Sequence, residues 1–164
     1  MTTSELVRAY LALGSNIDPE QNLPAAVRLL RRYCRVVALS PVYRTPPQGF
    51  ADQPDFYNMA VQILTTGDPA DFKRDALAEI ERALGRVRDP HNRNAPRTID
   101  LDIALWGEKP WRVPDPDILR FAHIAVPLAD LAPDYVHPET GETLMQIASR
   151  SDASGMQQVI LHFA

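Results

Sequence analysis

Cysteine is nearly missing from this chain of 164 residues. Cys34 stands alone, so no disulfide can form within the chain, and no Cys/His spacing suggests a zinc site. It is expected to be a buried structural thiol. No apolar run approaches the roughly 20 residues that a helix needs to cross a bilayer. The polar start, Met1 to Glu5, lacks the charged-then-apolar plan of a signal peptide. A cytoplasmic location with no membrane contact is therefore expected. An excess of positive charge is lacking too: 17 Lys and Arg against 21 Asp and Glu give −4 at pH 7, which argues against broad binding to nucleic acid. Local basic loops remain possible. No internal repeat or domain linker is visible. The 45% of hydrophobic residues suffices for one core, and residues 1–164 are expected to form a single domain.

The order of elements is regular. Val7 to Leu13 reads as a strand stopped by Gly14-Ser15-Asn16. Asp18-Pro19 then offers an N-cap and first-turn proline for a helix to about Arg32, with Pro24 blurring its start. Arg35 to Tyr43 and Phe56 to Leu64 are rich in β-branched and aromatic residues and read as strands, Pro41 marking an edge or bulge in the first. A second helix opens at Asp68-Pro69, carries Phe72, Leu77, Ile80 and Leu84, and stops at Gly85. A last strand follows. The order β-α-β-β-α-β predicts an α+β, ferredoxin-like antiparallel sheet with both helices on one face. From about Gly107 the chain adds a Pro-rich segment, a short strand near Ile124 and a helix over Glu142 to Ser149 as C-terminal additions.

The last strand carries the strongest chemical signal. In Arg97-Thr98-Ile99-Asp100-Leu101-Asp102-Ile103 apolar and polar residues alternate. Ile99, Leu101 and Ile103 can enter a core, while Asp100 and Asp102 share the other face about 7 Å apart. Asp is depleted in strands. Two such charges repel by roughly 0.6 kcal/mol in bulk water and about 2.4 kcal/mol at an effective dielectric near 20. A recessed pair asks for a cation, and Mg2+ held against substrate phosphates is the simplest answer; an exposed pair needs only solvent. The loop before it, residues 85–97, has arginines at four positions, Arg86, Arg88, Arg93 and Arg97. Guanidinium groups stay charged and match phosphate oxygens bidentately. The loop is either a polyphosphate wall or a basic, solubilising surface.

Residues 44–55 form a second long, proline-stiffened connection, of a length that tends to be functional or disordered. Thr45, Pro46 and Pro47 could offer backbone groups to a flat heterocycle, with Phe56 as a stacking surface and Asn58 as a paired donor and acceptor. Taken singly, Phe56 would more often be core and Asn58 exposed.

These residues also resemble a known family. Ala12-Leu13-Gly14-Ser15-Asn16, Tyr43-Arg44-Thr45-Pro46-Pro47, Gln53-Pro54-Asp55-Phe56-Tyr57-Asn58, Glu81 before Leu84-Gly85-Arg86, Ala95-Pro96-Arg97-Thr98-Ile99-Asp100-Leu101-Asp102, and Pro127-Leu128 before Leu131-Ala132-Pro133 resemble the 6-hydroxymethyl-7,8-dihydropterin pyrophosphokinases of folate biosynthesis over about residues 7 to 148. The resemblance implies a ferredoxin-like fold with additions. It also implies Mg2+-dependent transfer of pyrophosphate from ATP to a pterin hydroxymethyl group, with AMP released. It makes Asp100 and Asp102 the metal ligands for two Mg2+ ions, and Arg86 and Arg97 catalytic phosphate clamps. Thr45, Pro46, Pro47, Phe56, Asn58 and His123 become pterin contacts. Glu81, Arg88, Arg97, Ile103, Arg112 and Arg120 fall on the nucleotide side. The expected partners are ATP as co-substrate and a dihydropterin, with neither nucleic acid nor membrane, for a monomer.

This chain departs from the family pattern at several positions. Asn94 stands where many members have a lid tryptophan, Ala78 where a glutamine contacts nucleotide, and Asp115 replaces a histidine. Arg120-Phe121-Ala122-His123 replaces the usual Arg-then-aromatic arrangement, which makes Arg120 a register-shifted phosphate ligand and His123 either the replacement for the second stacking ring or a structural residue. His91, His137 and His162 are expected to be surface or local-structure residues. Two alternatives stand beside the ordinary activity: a divergent enzyme using a related pterin, and a non-catalytic ferredoxin-like binding module, since such folds host many functions.

Overall fold

Alternation of side chains along three long strands organises the molecule. The structure, a computed structural model, describes residues 5–47, 52–87, 91, 96–107, 109–110 and 117–163. Strands β1 (Val7–Ser15), β4 (Phe56–Thr65) and β5 (Asp100–Trp106) form the middle of one antiparallel sheet. Its order is β6-β5-β1-β4-β3-β7, with β2 (Arg35–Leu39) also paired to β4. The strand expected over Arg35 to Tyr43 is thus divided: Ser40-Pro41 separates β2 from β3 (Val42–Thr45), as a residue without an N–H should. β6 (Lys109–Pro110) and β7 (Gln157–Val159) extend the edges. The fold is α+β and ferredoxin-like.

Odd-numbered residues of the three central strands, among them Leu11, Leu13, Val61, Ile63, Leu101 and Ile103, face α1 (Pro19–Leu30) and the second helical segment, forming the larger core cluster. That segment is α2 (Pro69–Phe72), a π-helical turn over Lys73–Leu77, and α3 (Ala78–Ala83). Asp68 caps it by accepting from Ala70 N at 2.8 Å, and Gly85 follows its end at φ 78°. Asp18 occupies the N-cap position of α1 in a left-handed conformation, with no capping bond from its side chain.

The opposite face carries a second core. Tyr10, Ala60 and Leu105 pack there against α4 (Ala122–Leu131) and α5 (Leu144–Arg150). Leu105 reaches this side because Leu11 pairs with Ile103 while Tyr10 pairs with Leu105, leaving Ala104 as a bulge that reverses the alternation. The strand expected near Ile124 is a helix, α4. Its short apolar run suits either state, and burial against the sheet decides for helix. α5 begins at a capping box between Thr143 and Gln146. His137 is fully buried and its Nδ1 accepts from Glu139 N at 3.2 Å, a local-structure role. Cys34 is half-buried, and burial pushes its thiol up to about 11. Among the described residues no helix is long and apolar enough to cross a membrane.

Candidate active site

The α4–α5 layer covers only part of its sheet face. The strand register sets a cross-strand row, Tyr43, Asn58, Gly14 and Asp100, at one end of that face. Ala60, Ala12 and Asp102 form the next row. Small residues at positions 12, 14 and 60 keep the floor low between the polar side chains. Gly14 is required there by space: a Cβ would lie 2.7 Å from Asn58 Oδ1. Ile99, Leu101 and Ile103 are all buried while both aspartates keep partial exposure, the division expected from the alternation.

Both carboxylates meet cations. Asp100 Oδ1 accepts from Arg86 Nη1 at 2.9 Å, and Oδ2 accepts from Arg97 Nη1 at 3.2 Å. Arg86 Nη1 also donates to Glu81 Oε2, which accepts Leu101 N at 3.0 Å. Glu81 is therefore a buried anchor tying α3 to β5 and holding Arg86 in place. Asp102 Oδ1 accepts from Lys73 Nζ at 3.0 Å and from Ile103 N at 3.0 Å. The arginine side chains are only 10% and 15% exposed for Arg86 and Arg97, so water screens them little. Arg86 Nε is buried and has no hydrogen-bond partner among the described residues.

A second polar group adjoins this one. Asn58 Nδ2 donates to Thr45 Oγ1 at 2.7 Å, both residues buried. Phe56 is half-buried with the Arg97 guanidinium 5.7 Å from its ring centroid. His123, at the start of α4, has its ring centroid 5.2 Å from that of Phe121, and the Arg120 guanidinium lies over the Phe121 ring 5.1 Å from its centroid. Burial holds the His123 imidazole below the ordinary histidine range, against an opposing pull from the Asp100 charge. Pro46 is exposed and Pro47 partly buried, beside Thr45.

Asn16 links the two groups. Its Nδ2 donates to Gln53 Oε1 at 2.7 Å and Pro54 O at 3.1 Å, its Oδ1 accepts Arg97 N at 2.8 Å, and its own N donates to Arg97 O at 3.1 Å. The sequence offered the Gly14-Ser15-Asn16 run as a signal for a strand end, but not this role. Lys73, which opens the π-helical turn, was also missed, since its partner Asp102 is distant in sequence. Of the remaining expected site residues, Ile103 turns its side chain into the core. Arg88, Asn94, Arg112 and Asp115 lie outside the described residues. Ala78 begins α3.

Could Asp100 and Asp102 hold Mg2+? No group of three or more His, Cys, Asp or Glu side chains suited to a metal exists among the described residues. A divalent ion here would rely on two carboxylates and on oxygens brought by a substrate. Mg2+ accepts that donor set, binding through one or two carboxylates plus phosphates and water. The unpaired Arg86 N–H supplies one more group suited to an anion. The residues fit the metal.

A ferredoxin-like α+β protein with paired carboxylates among guanidinium groups at one end of its sheet is the class that fold and site define. Comparison with known proteins narrows it. A family model described as 7,8-dihydro-6-hydroxymethylpterin-pyrophosphokinase matches residues 10–133. The 2-amino-4-hydroxy-6-hydroxymethyldihydropteridine pyrophosphokinase of Pseudomonas aeruginosa is 40% identical over 160 residues, 93% of this chain and 96% of that one. Its namesake in Methylorubrum extorquens is 41% identical, covering 94% of this chain and 99% of the relative. A Plasmodium falciparum HPPK-DHPS crystal structure with pterin superposes at TM-score 0.73 over 92% of this chain and 45% of that one. This chain thus spans less than half of that two-part protein, and at 14% identity the likeness concerns the fold alone. The chain belongs to the 7,8-dihydro-6-hydroxymethylpterin pyrophosphokinase family. It is an enzyme, a pyrophosphokinase of folate biosynthesis, and the alternative of a non-catalytic module is set aside.

Proposed function

We propose that this chain transfers the β,γ-pyrophosphoryl group of ATP to the hydroxymethyl oxygen of 6-hydroxymethyl-7,8-dihydropterin, with Mg2+, releasing AMP. The observation that carries this reading is the Asp100 carboxylate held between Arg86 and Arg97 on the strand row that also holds Asn58. Metal and phosphate chemistry then adjoins a buried amide suited to a heterocycle edge. Asn58 would read the pterin ring, its amide oriented by Thr45, with Phe56 and His123 offering stacking surfaces beside Pro46 and Pro47. Asp100 and Asp102 would hold Mg2+, which supplies charge neutralisation along the polyphosphate when bound.

In the reaction the pterin oxygen forms a bond to the β-phosphorus while the bond between that phosphorus and the α–β bridging oxygen breaks. AMP carries the bridging oxygen away, and the hydroxyl proton passes to solvent. No protein nucleophile is needed. Arg86 and Arg97 would stabilise negative charge spreading over the transferring group, and the site would align oxygen and phosphorus. Glu81 would act through Arg86, fixing the guanidinium before substrate arrives. Arg88, Arg112 and Arg120 would add charge on the nucleotide side, and Ile103 a main-chain contact.

The test is AMP release from Mg-ATP with and without 6-hydroxymethyl-7,8-dihydropterin, for wild type and Asp100→Asn/Asp102→Asn. Pterin-dependent AMP that is lost in the folded double variant is expected. Metal-dependent nucleotide binding without AMP formation would point instead to a related pterin as substrate.

A further inference from the structure

Lys73 is a charged side chain that the proposed reaction does not use, yet its Nζ lies 3.0 Å from Asp102 Oδ1, across a long gap in sequence. The π-helical turn opens at Lys73, after Phe72 has entered the core, and such turns are frequent at functional positions. The lysine side chain is 38% exposed and Asp102 30%, so the pair is accessible to ions.

The immediate charges pair off. Among the described residues Arg86 and Arg97 pair with Glu81 and Asp100, and Lys73 pairs with Asp102, three cations against three carboxylates in two groups with contacts of 3.2 Å or less. The described chain also offers no third carboxylate to a metal here. Among the described residues a bare divalent ion therefore meets paired charges in equal number, with one Asp102 oxygen already accepting an ammonium. A metal arriving with a polyphosphate brings the missing anions and gives Lys73 another partner.

We propose that Lys73 is a positioning residue that withholds Asp102 from free divalent metal, so that metal enters the site together with nucleotide. The inference rests on the metal role given to Asp102 above. Lys73 differs from the arginines in kind: its ammonium is a flexible point charge that can leave one carboxylate oxygen without disrupting a fork of bonds.

The experiment measures Mn2+ binding by electron paramagnetic resonance without nucleotide, and again with a non-hydrolysable ATP analogue. Lys73→Met is expected to bind free Mn2+ about tenfold more tightly than wild type, since it removes one positive charge beside a divalent ion. Lys73→Arg should stay near wild type, and the gain should vanish when Asp102→Asn is combined with Lys73→Met. With nucleotide present the advantage of Lys73→Met should shrink or reverse. Equal Mn2+ affinity in folded Lys73→Met and wild type, or the same gain without Asp102, overturns the proposal. AMP formation is measured separately. Its absence with the Mn2+ pattern intact would count against the proposed reaction and leave this metal ordering in place.

Discussion

At the scale of single residues, the imidazole of His123 shows how one titratable ring in a packed place makes stability depend on pH. A phenyl ring at the same place would be indifferent to pH. Burial lowers the His123 pKa below the ordinary value, and the nearby Asp100 charge offsets this only in part. The unfolded chain therefore binds a proton at a pH where the folded chain still resists it. Between the lowered and the ordinary value the unfolded state holds more protons, so stability rises with pH there. This contribution is full above the ordinary histidine range and is lost as pH falls through it toward the folded value. Chemical denaturation of wild type and His123→Phe from pH 8 to pH 5 should show wild type losing stability relative to the variant on the acid side. A constant difference across that range would show that His123 does not titrate on unfolding as described. Gly14 makes the complementary point. Its missing side chain is what lets Asn58 approach β1, a role that a strand pattern alone does not announce.

Elements bring these residues together through register, and register explains what could be read in advance. β1, β4 and β5 were legible on different grounds: Val7 to Leu13 is stopped by Gly14-Ser15-Asn16, Phe56 to Leu64 is rich in β-branched and aromatic residues, and alternation over Ile99 to Ile103 assigns faces directly. With the faces assigned, Asp100 and Asp102 had to share one. α4 was not legible, since Ile124-Ala125-Val126-Pro127-Leu128 is apolar throughout and lies against the sheet. The split between β2 and β3 was foreshadowed by Pro41, whereas β6 and β7, of two and three residues, are too short to carry a period. Phe72 and Leu77 stand five residues apart, an interval that a π-helical turn accommodates, and Lys73 at its start reaches Asp102 on β5. Asn16 was illegible for a different reason: its partners are main-chain groups and a loop glutamine, which leave no mark on composition. From the geometry, Asn16 couples the segment before β4 to the segment before β5. Asn16→Ala removes the acceptor of Arg97 N and the donor to Pro54 O at once, part-buried hydrogen bonds worth about 0.5–1.5 kcal/mol each. Titration calorimetry should then show weaker binding of both the pterin and the nucleotide analogue in the folded variant. Weakening of one alone would mean the two segments are positioned independently.

For the molecule as a whole, the sheet supports different layers on its two faces. α1 and the second helical segment cover one face, and α4 and α5 cover part of the other. The uncovered end of that second face carries the charges. Removing functional carboxylates commonly relieves repulsion, but here each carboxylate is already compensated. Asp100 accepts from Arg86 and Arg97, so Asp100→Asn leaves the nearly buried Arg86 with Glu81 as its remaining acidic partner among these contacts. Because Asp100 is itself 42% exposed, the loss should be on the order of 1 kcal/mol. For a chain of this size that lowers Tm by a few degrees, about 2–4 °C. Ligand acts in the opposite direction on wild type. Mg2+ with the ATP analogue at about 100 times Kd should stabilise it by about 2.7 kcal/mol. Thermal melts of wild type and Asp100→Asn/Asp102→Asn, with and without metal and nucleotide, therefore have a definite expected order. The double variant melts below wild type when both are free, and ligand widens the gap because only wild type gains from it. A double variant more stable than free wild type would show that the arginine contacts do not compensate the carboxylates. A ligand-induced rise of the same size in both proteins would place metal and nucleotide away from Asp100 and Asp102.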